Sequence, residues 1–124
     1  MVAVRRFAET GLLEDRRARE RALNLLVECL TPGQRAEFER TSAFKVRGKS
    51  GQLYRITYAT TANVEVLEQP GMVIRRLCAG PVGVPIPDVM LAQKLMLEAN
   101  EAEFLRIAAR LGDNWSDPLY TRGP

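Results

Sequence analysis

The sequence of 124 residues contains no histidine. Histidine is the usual general base of enzymes and the commonest protein ligand of transition metals, because its imidazole titrates near neutral pH. Any enzyme built on this chain would have to work with carboxylates, lysine, tyrosine or cysteine. We therefore expect a protein without catalytic activity, cofactor or metal site.

Cysteines and long apolar runs are also scarce. The two cysteines, Cys29 and Cys78, lie in segments of apolar periodicity, which predicts free buried thiols in a reducing compartment rather than a disulfide. No apolar run is long enough to cross a bilayer, and the N-terminal "MVAVRRFAETGLL" has no signal-peptide core. We expect a cytoplasmic protein without membrane contact.

The composition is that of an ordinary folded domain, with 46% hydrophobic and 27% charged residues. A chain of this length is large enough to bury one core without disulfide or metal support. We expect a single domain over residues 1–124, in which residues 1–11 and 113–124 are peripheral tails.

Two helices are predicted at the N-terminus. Apolar residues at helical spacing predict the first helix from Leu12 to Leu30. Thr31 and Gln34 then form a capping-box pattern around Pro32, which predicts a short second helix to about Arg40. The predicted apolar stripe of the first helix comprises Ala18, Ala22, Leu25, Leu26, Cys29 and Leu30.

Four short strands are predicted between Phe44 and Cys78, where the apolar period changes to two. Short turns between them favour an antiparallel meander whose inner face needs a helical cover. The predicted inner side chains are Phe44, Val46, Tyr54, Ile56, Tyr58, Val64 and Val66.

A helical pair is predicted after the connector at residues 79–87, which contains three prolines. Asp88 is the predicted N-cap of the first helix, a break falls near Asn100, and Gly112 ends the second helix. The predicted fold class is α+β: two N-terminal helices, a four-stranded antiparallel meander, and a C-terminal helical pair covering the sheet.

Positive charge is concentrated on the predicted sheet. Residues 41–80 carry six basic and two acidic side chains, a net +4, whereas the whole chain carries +3. Such a face is typical of a nucleic-acid or anion contact, although no exposed aromatic residues are interleaved for base stacking. The pattern does not decide whether Arg75 or Arg76 faces outward. The candidate contact residues are Lys45, Arg47, Lys49, Arg55 and Arg75.

A second candidate surface is apolar. The helix predicted from Val89 to Leu97 is apolar on more than one face, and the C-terminal twelve residues carry large side chains without periodicity. Unburied apolar groups of this kind indicate a protein partner or a second copy of the chain. The candidate contact residues are Met90, Leu97, Trp115, Leu119 and Tyr120.

Two further motifs have structural explanations. Gly48-Lys49-Ser50 resembles a phosphate-loop fragment, but a strand follows it where a phosphate loop needs a helix, so a hairpin turn is the preferred interpretation. The acidic residues of the C-terminal third fit helix-end electrostatics, with no histidine to complete a catalytic set. They are Asp88, Glu98, Glu101 and Glu103.

One pattern spans about half the chain: Tyr54-Arg55-Ile56, Asn63-Val64, Leu77-Cys78 with Pro81, and Asp88 leading into "LAQKLMLE" and "EAEFLRIA". It resembles a group of small uncharacterised proteins of alphaproteobacteria and tailed phages. In that group the cysteine is often followed by alanine and a histidine-proline pair, whereas this chain has glycine at position 80. The resemblance implies a bacterial or phage setting and transfers no activity and no site residue.

These observations favour a non-enzymatic interaction or assembly module that binds protein partners, or itself, through its helical part. The alternative is a small nucleic-acid-binding protein that uses the basic outer face of the sheet.

Overall fold

The computed structural model describes residues 2–69, 72–81 and 83–114, and among these the side chains at 15–68, 72–81 and 83–108. The chain forms α1 (Val2–Cys29), α2 (Pro32–Thr41), β1 (Ala43–Arg47), β2 (Leu53–Thr57), β3 (Val64–Gln69), β4 (Met72–Leu77), α3 (Ile86–Ala99) and α4 (Glu101–Asn114). The predicted α+β class and the order of elements are confirmed.

The first helix, α1, differs from the prediction at its start and in its buried stripe. It begins at Val2 rather than Leu12. It packs on α3 and buries Ala22 and Leu26, and Leu30, which follows directly after the helix, is also buried. Leu25 and Cys29, predicted in the same stripe, are exposed. Residues 22, 26 and 30 are four positions apart and form one narrow row, so Leu25 and Cys29, which flank this row, stay in solvent.

The second helix, α2, begins with the predicted capping box. The Thr31 hydroxyl accepts a hydrogen bond from the backbone N–H of Gln34 at 3.1 Å, and the Gln34 side chain accepts one from the Thr31 N–H at 3.0 Å. These two bonds satisfy amide groups that the helix itself leaves unpaired.

The side chains of α2 also cover the free edge of β1. The Gln34 amide donates to the carbonyl of Lys45 at 2.8 Å, and the Glu37 carboxylate accepts from its backbone N–H at 3.2 Å. Thr41 bonds the backbone of Ala43 in the same way, through its hydroxyl. The outward-facing groups of β1 at these two residues are therefore already paired.

The four strands form an antiparallel sheet in the order β1-β2-β3-β4. The register places Lys45 opposite Arg55, Arg55 opposite Glu65, and Glu65 opposite Arg76, so these side chains form one row across the outer face. Irregular register between β3 and β4 marks a β-bulge near Leu67.

The core lies between the inner face of the sheet and the helices. Buried side chains of the strands meet Leu26 of α1, Met90 and Leu97 of α3, and Phe104 of α4. The predicted inner residues are buried with one exception, since Tyr58 follows the end of β2 and is exposed. The buried strand residues are Phe44, Val46, Tyr54, Ile56, Val64, Val66 and Leu77.

The C-terminal helices differ from the prediction at two boundaries. Pro85, rather than Asp88, is the N-cap of α3, and Asp88 lies in the first turn. The carbonyl of Pro85 accepts from the backbone N–H groups of Asp88 and Val89, and Pro87 is tolerated because the first turn needs no N–H from it. The last helix runs to Asn114, past Gly112.

Two further observations concern compartment and thiols. Among the described residues, no helix is long and apolar enough to span a bilayer. Both cysteines are free, and Cys78 is partly exposed whereas Cys29 is exposed. The prediction that Cys29 is buried is therefore wrong.

Candidate functional site

An apolar cleft of about 240 Å³ opens between the connector at residues 79–81 and the helices α3 and α4. Almost all of its wall is carbon. The lining residues are Ala79, Gly80, Pro81, Ala92, Gln93, Met96, Phe104 and Ile107. A cleft of this size is large enough for one aromatic or branched apolar side chain.

The connector wall of the cleft depends on a close approach to α3. A Cβ atom added at Gly80 would lie 2.9 Å from Cγ1 of Val89, closer than side-chain carbons pack. A residue with a side chain would force the connector away from the helix.

The polar side chain of the cleft, Gln93, is committed to a buried network. Its amide nitrogen donates to Oδ1 of Asn63 at 2.9 Å and to the carbonyl of Ala79 at 2.7 Å. The Asn63 amide donates in return to Oε1 of Gln93 at 2.7 Å and also bonds the carbonyl of Thr57. Both side chains are nearly inaccessible. Because both amide groups are paired, Gln93 holds the connector against α3 rather than serving as a free polar group.

An exposed leucine borders the cleft. Leu95 is 51% exposed and follows Ala92 by three residues on α3, so the two side chains lie on neighbouring parts of the helix surface. The cleft and Leu95 together form one apolar surface.

A second cluster joins the β1–β2 turn to the start of α4. The Glu101 carboxylate accepts hydrogen bonds from the backbone N–H of Ser50 at 2.6 Å, the Ser50 hydroxyl at 2.9 Å and the Tyr54 hydroxyl at 2.5 Å. Glu101 is only 6% exposed. A Cβ at Gly48 would lie 2.6 Å from this carboxylate, so the turn needs glycine there.

The electrostatics of this cluster are those of a structural anchor. Burial raises the pKa of Glu101, but the hydrogen bonds from Tyr54 and Ser50 outweigh burial and hold the pKa below its usual value. Burial and the bond to Glu101 raise the pKa of Tyr54 far above its usual value. Glu101 therefore stays ionised and Tyr54 stays protonated near neutral pH, and neither is poised to exchange a proton.

The predicted basic face is largely neutralised by acidic partners. Glu65 accepts from Arg55 at 2.7 Å and lies 3.3 Å from the guanidinium of Arg76, while Lys45 pairs with Glu37 at 2.9 Å. Glu65 is 8% exposed and forms the centre of the row. The three positive charges of this row are therefore opposed by Glu65 within the row and by Glu37 of α2, which leaves a weak field for a phosphate backbone.

The other candidate basic residues are not brought onto that row. Lys49 is exposed in the β1–β2 turn, and Arg47 donates to the carbonyl of Gly51 at 2.7 Å. Arg75 is opposite Val66 on the inner side of the sheet, near Tyr54, whereas Arg76 faces outward. The question the sequence left open is answered in favour of Arg76.

The predicted partner-contact residues also need correction. Met90 and Leu97 are both 0% exposed and belong to the core, because the side of α3 that carries them faces the sheet. They are not available to a partner. Trp115, Leu119 and Tyr120 lie outside the described residues.

Sequence reasoning missed the cleft and the role of Glu101. The apolar excess of α3 did signal a second apolar surface, but the side was wrong: Ala92 and Met96 line the cleft, and Leu95 beside them is exposed. Nothing in the spacing of Ser50, Tyr54 and Glu101 indicated that they meet, since Tyr54 and Glu101 are 47 positions apart.

In the part of the chain that the structure describes, no group of three or more cysteine or acidic side chains is arranged to hold a metal ion. Comparison with protein-family models finds no match, and neither curated proteins nor solved structures give one.

Proposed function

We propose that this chain is a non-enzymatic binding module whose partner is a protein, and that the cleft takes one uncharged apolar or aromatic side chain of that partner. The observation that carries the proposal is the open carbon-lined cleft beside exposed Leu95. In protein–protein interfaces a few residues provide most of the binding free energy, and they commonly fill central apolar pockets of this kind.

The chemistry of the lining supports an uncharged anchor. A charged group entering the cleft would lose its hydration, and the amide of Gln93 is already bonded to Asn63 and Ala79. An aromatic anchor would gain contacts with Phe104 and with the sulfur of Met96.

The titratable cluster at Glu101 supports the non-enzymatic part of the proposal. Its three hydrogen bonds are all used to hold a turn against a helix, and the lowered pKa of Glu101 removes it as a general acid near neutral pH. The cluster is explained by its structural role.

Selection from a random peptide library tests this function. Peptides selected on the native chain are expected to share an apolar or aromatic anchor and to bind Ala92→Glu at least about tenfold more weakly, since a buried anchor is worth more than 1.4 kcal/mol. Ala102→Glu, the same substitution at an exposed position of α4, is the matched control. Leu95→Glu changes an exposed side chain beside the cleft, so the fold should stay intact.

The proposal fails if the selected peptides bind Ala92→Glu and Leu95→Glu as tightly as the native chain, or if none is enriched. Nucleic-acid binding at the outer face is the competing hypothesis. Under it, Arg47→Glu with Arg55→Glu abolishes salt-dependent binding of a short single-stranded DNA, whereas under our proposal this variant binds the peptides as the native chain does.

A further inference from the structure

The part of α1 that directly precedes its buried row carries a cluster of arginines. Ala22 is the first residue of that row. In residues 15–21, before it, every side chain is exposed except that of Ala18, which is half-buried. Asp15 and Glu20 offset two of the positive charges, so this segment carries a net +2. The arginines are Arg16, Arg17, Arg19 and Arg21.

These arginines differ from those of the sheet because no carboxylate neutralises them. On the sheet, Arg55 and Arg76 pair with Glu65. None of the four arginines of α1 forms an ion pair with a residue that the structure describes. An exposed guanidinium without a partner keeps its charge and its five N–H donors for an external anion. The cluster on α1 is therefore better suited to phosphate than the outer face of the sheet.

The arginines form two pairs on opposite flanks of the helix. At 3.6 residues per turn, Arg17 and Arg21 lie about 40° apart around the axis, and Arg16 and Arg19 about 60° apart. The mean directions of the two pairs differ by roughly 150°. A flat anionic surface reaches only one of these flanks, whereas a groove with phosphates on both walls reaches both.

We propose that residues 15–21 of α1 lie in the major groove of double-stranded DNA. Arg17 and Arg21 then bind phosphates of one strand, and Arg16 and Arg19 bind phosphates of the other. The major groove of B-form DNA is about 12 Å wide and admits an α-helix. The guanidinium fork matches the geometry of phosphate oxygens. Because phosphate contacts carry no sequence information, the binding is independent of DNA sequence.

A membrane surface fits this segment less well. A helix that lies on a membrane buries a broad apolar face between its basic flanks. Residues 15–21 offer only the methyl group of Ala18. The DNA contact is also separate from the cleft, which no residue of α1 lines, so it is a second activity beyond the proposed function.

Fluorescence anisotropy with a labelled DNA duplex of about 20 base pairs tests the inference in the full chain. If all four arginines contact phosphates, the logarithm of the association constant should fall with the logarithm of salt concentration with a slope of about −3.6. Arg17→Gln/Arg21→Gln should reduce that slope by about two and weaken binding at least about tenfold at low salt. Glutamine has nearly the helix propensity of arginine, so α1 should stay intact.

The matched control is Arg35→Gln/Arg40→Gln, which removes the same charge from exposed positions of α2 and should bind DNA as the native chain does. A duplex RNA of the same length should bind at least about tenfold more weakly than the DNA, because its narrow major groove does not admit a helix. Equal losses in the two double variants overturn the inference, as does equal affinity for the two duplexes. Binding to phosphatidylserine vesicles without binding to DNA also overturns it.

Discussion

Tyr54 and Glu101 are joined by a hydrogen bond of 2.5 Å that ties the second strand to the first residue of α4. Ser50 adds two bonds to the same carboxylate. Because Phe104 and Ile107 follow on α4 and line the cleft, this anchor at the β1–β2 turn also sets the position of one cleft wall.

Replacing Glu101 with glutamine should destabilise the fold. The amide keeps one oxygen acceptor but turns its nitrogen toward groups that are themselves donors, so at least one buried donor loses its partner. We expect the free energy of unfolding to fall by about 2 kcal/mol, measured by urea denaturation. Glu103→Gln, which removes the surface pair with Arg106, is the control and should change stability far less than Glu101→Gln does. Equal effects of the two variants would contradict the anchor role.

The same carboxylate predicts an acid-sensitive contribution to stability. The pKa of Glu101 is lower in the folded chain than its ordinary value of 4.5, so its contribution is complete above that value and is lost as the pH falls through the folded pKa. The difference in unfolding free energy between the native chain and Glu101→Gln should therefore be constant near neutrality and shrink in strong acid. A difference that does not change with pH would argue against ionised Glu101 as the source.

The amide pair beneath the cleft should behave as one unit. Asn63→Ala and Gln93→Ala each leave buried polar groups unpaired, at a cost of about 1–3 kcal/mol. The double variant removes both side chains, and its cost should fall short of the sum by about 1 kcal/mol or more. Asn63→Ala combined with Gln34→Ala, a residue with different partners, should be additive. Additivity of Asn63→Ala and Gln93→Ala in thermal or urea unfolding would refute the coupling.

The close approach of Gly80 to Val89 predicts a destabilising substitution that a second substitution should compensate. Gly80→Ala should lower the free energy of unfolding by about 1–3 kcal/mol, because the new methyl group meets Val89 at 2.9 Å. Val89→Ala in the same chain should restore most of the loss. Gly33→Ala, where a Cβ meets nothing within 4 Å, should be neutral or slightly stabilising. If Val89→Ala does not restore the stability of Gly80→Ala, the overlap with Val89 is not the reason that position 80 requires glycine.

Local patterns predicted the elements of this fold well. The change of apolar period at Phe44 marked the sheet, and the Thr31–Gln34 capping box marked the start of α2 to the residue. Both signals depend on neighbours within one turn or one strand, which the sequence displays directly.

The candidate site depends on contacts that local patterns do not encode. The outer face looked basic because Glu37, which pairs with Lys45, lies in another element. The apolar excess of α3 was visible, but only packing decides that Met90 and Leu97 face the sheet while Met96 faces the cleft. Pairings across dozens of residues, such as Asn63 with Gln93, have no signature in spacing.

The hydrogen bonds from α2 to the edge of β1 also bear on the order in which the chain folds. The bonds from Gln34 and Glu37 to Lys45 span only 11 and 8 positions. Contacts this local close small loops and form early. We expect pulse-labelling hydrogen exchange to protect the Lys45 amide no later than the amides of β3, and later protection would contradict this order. During synthesis, β1 would then leave the ribosome with its outer edge already paired, before β2 has been synthesised and can pair with the other edge of β1.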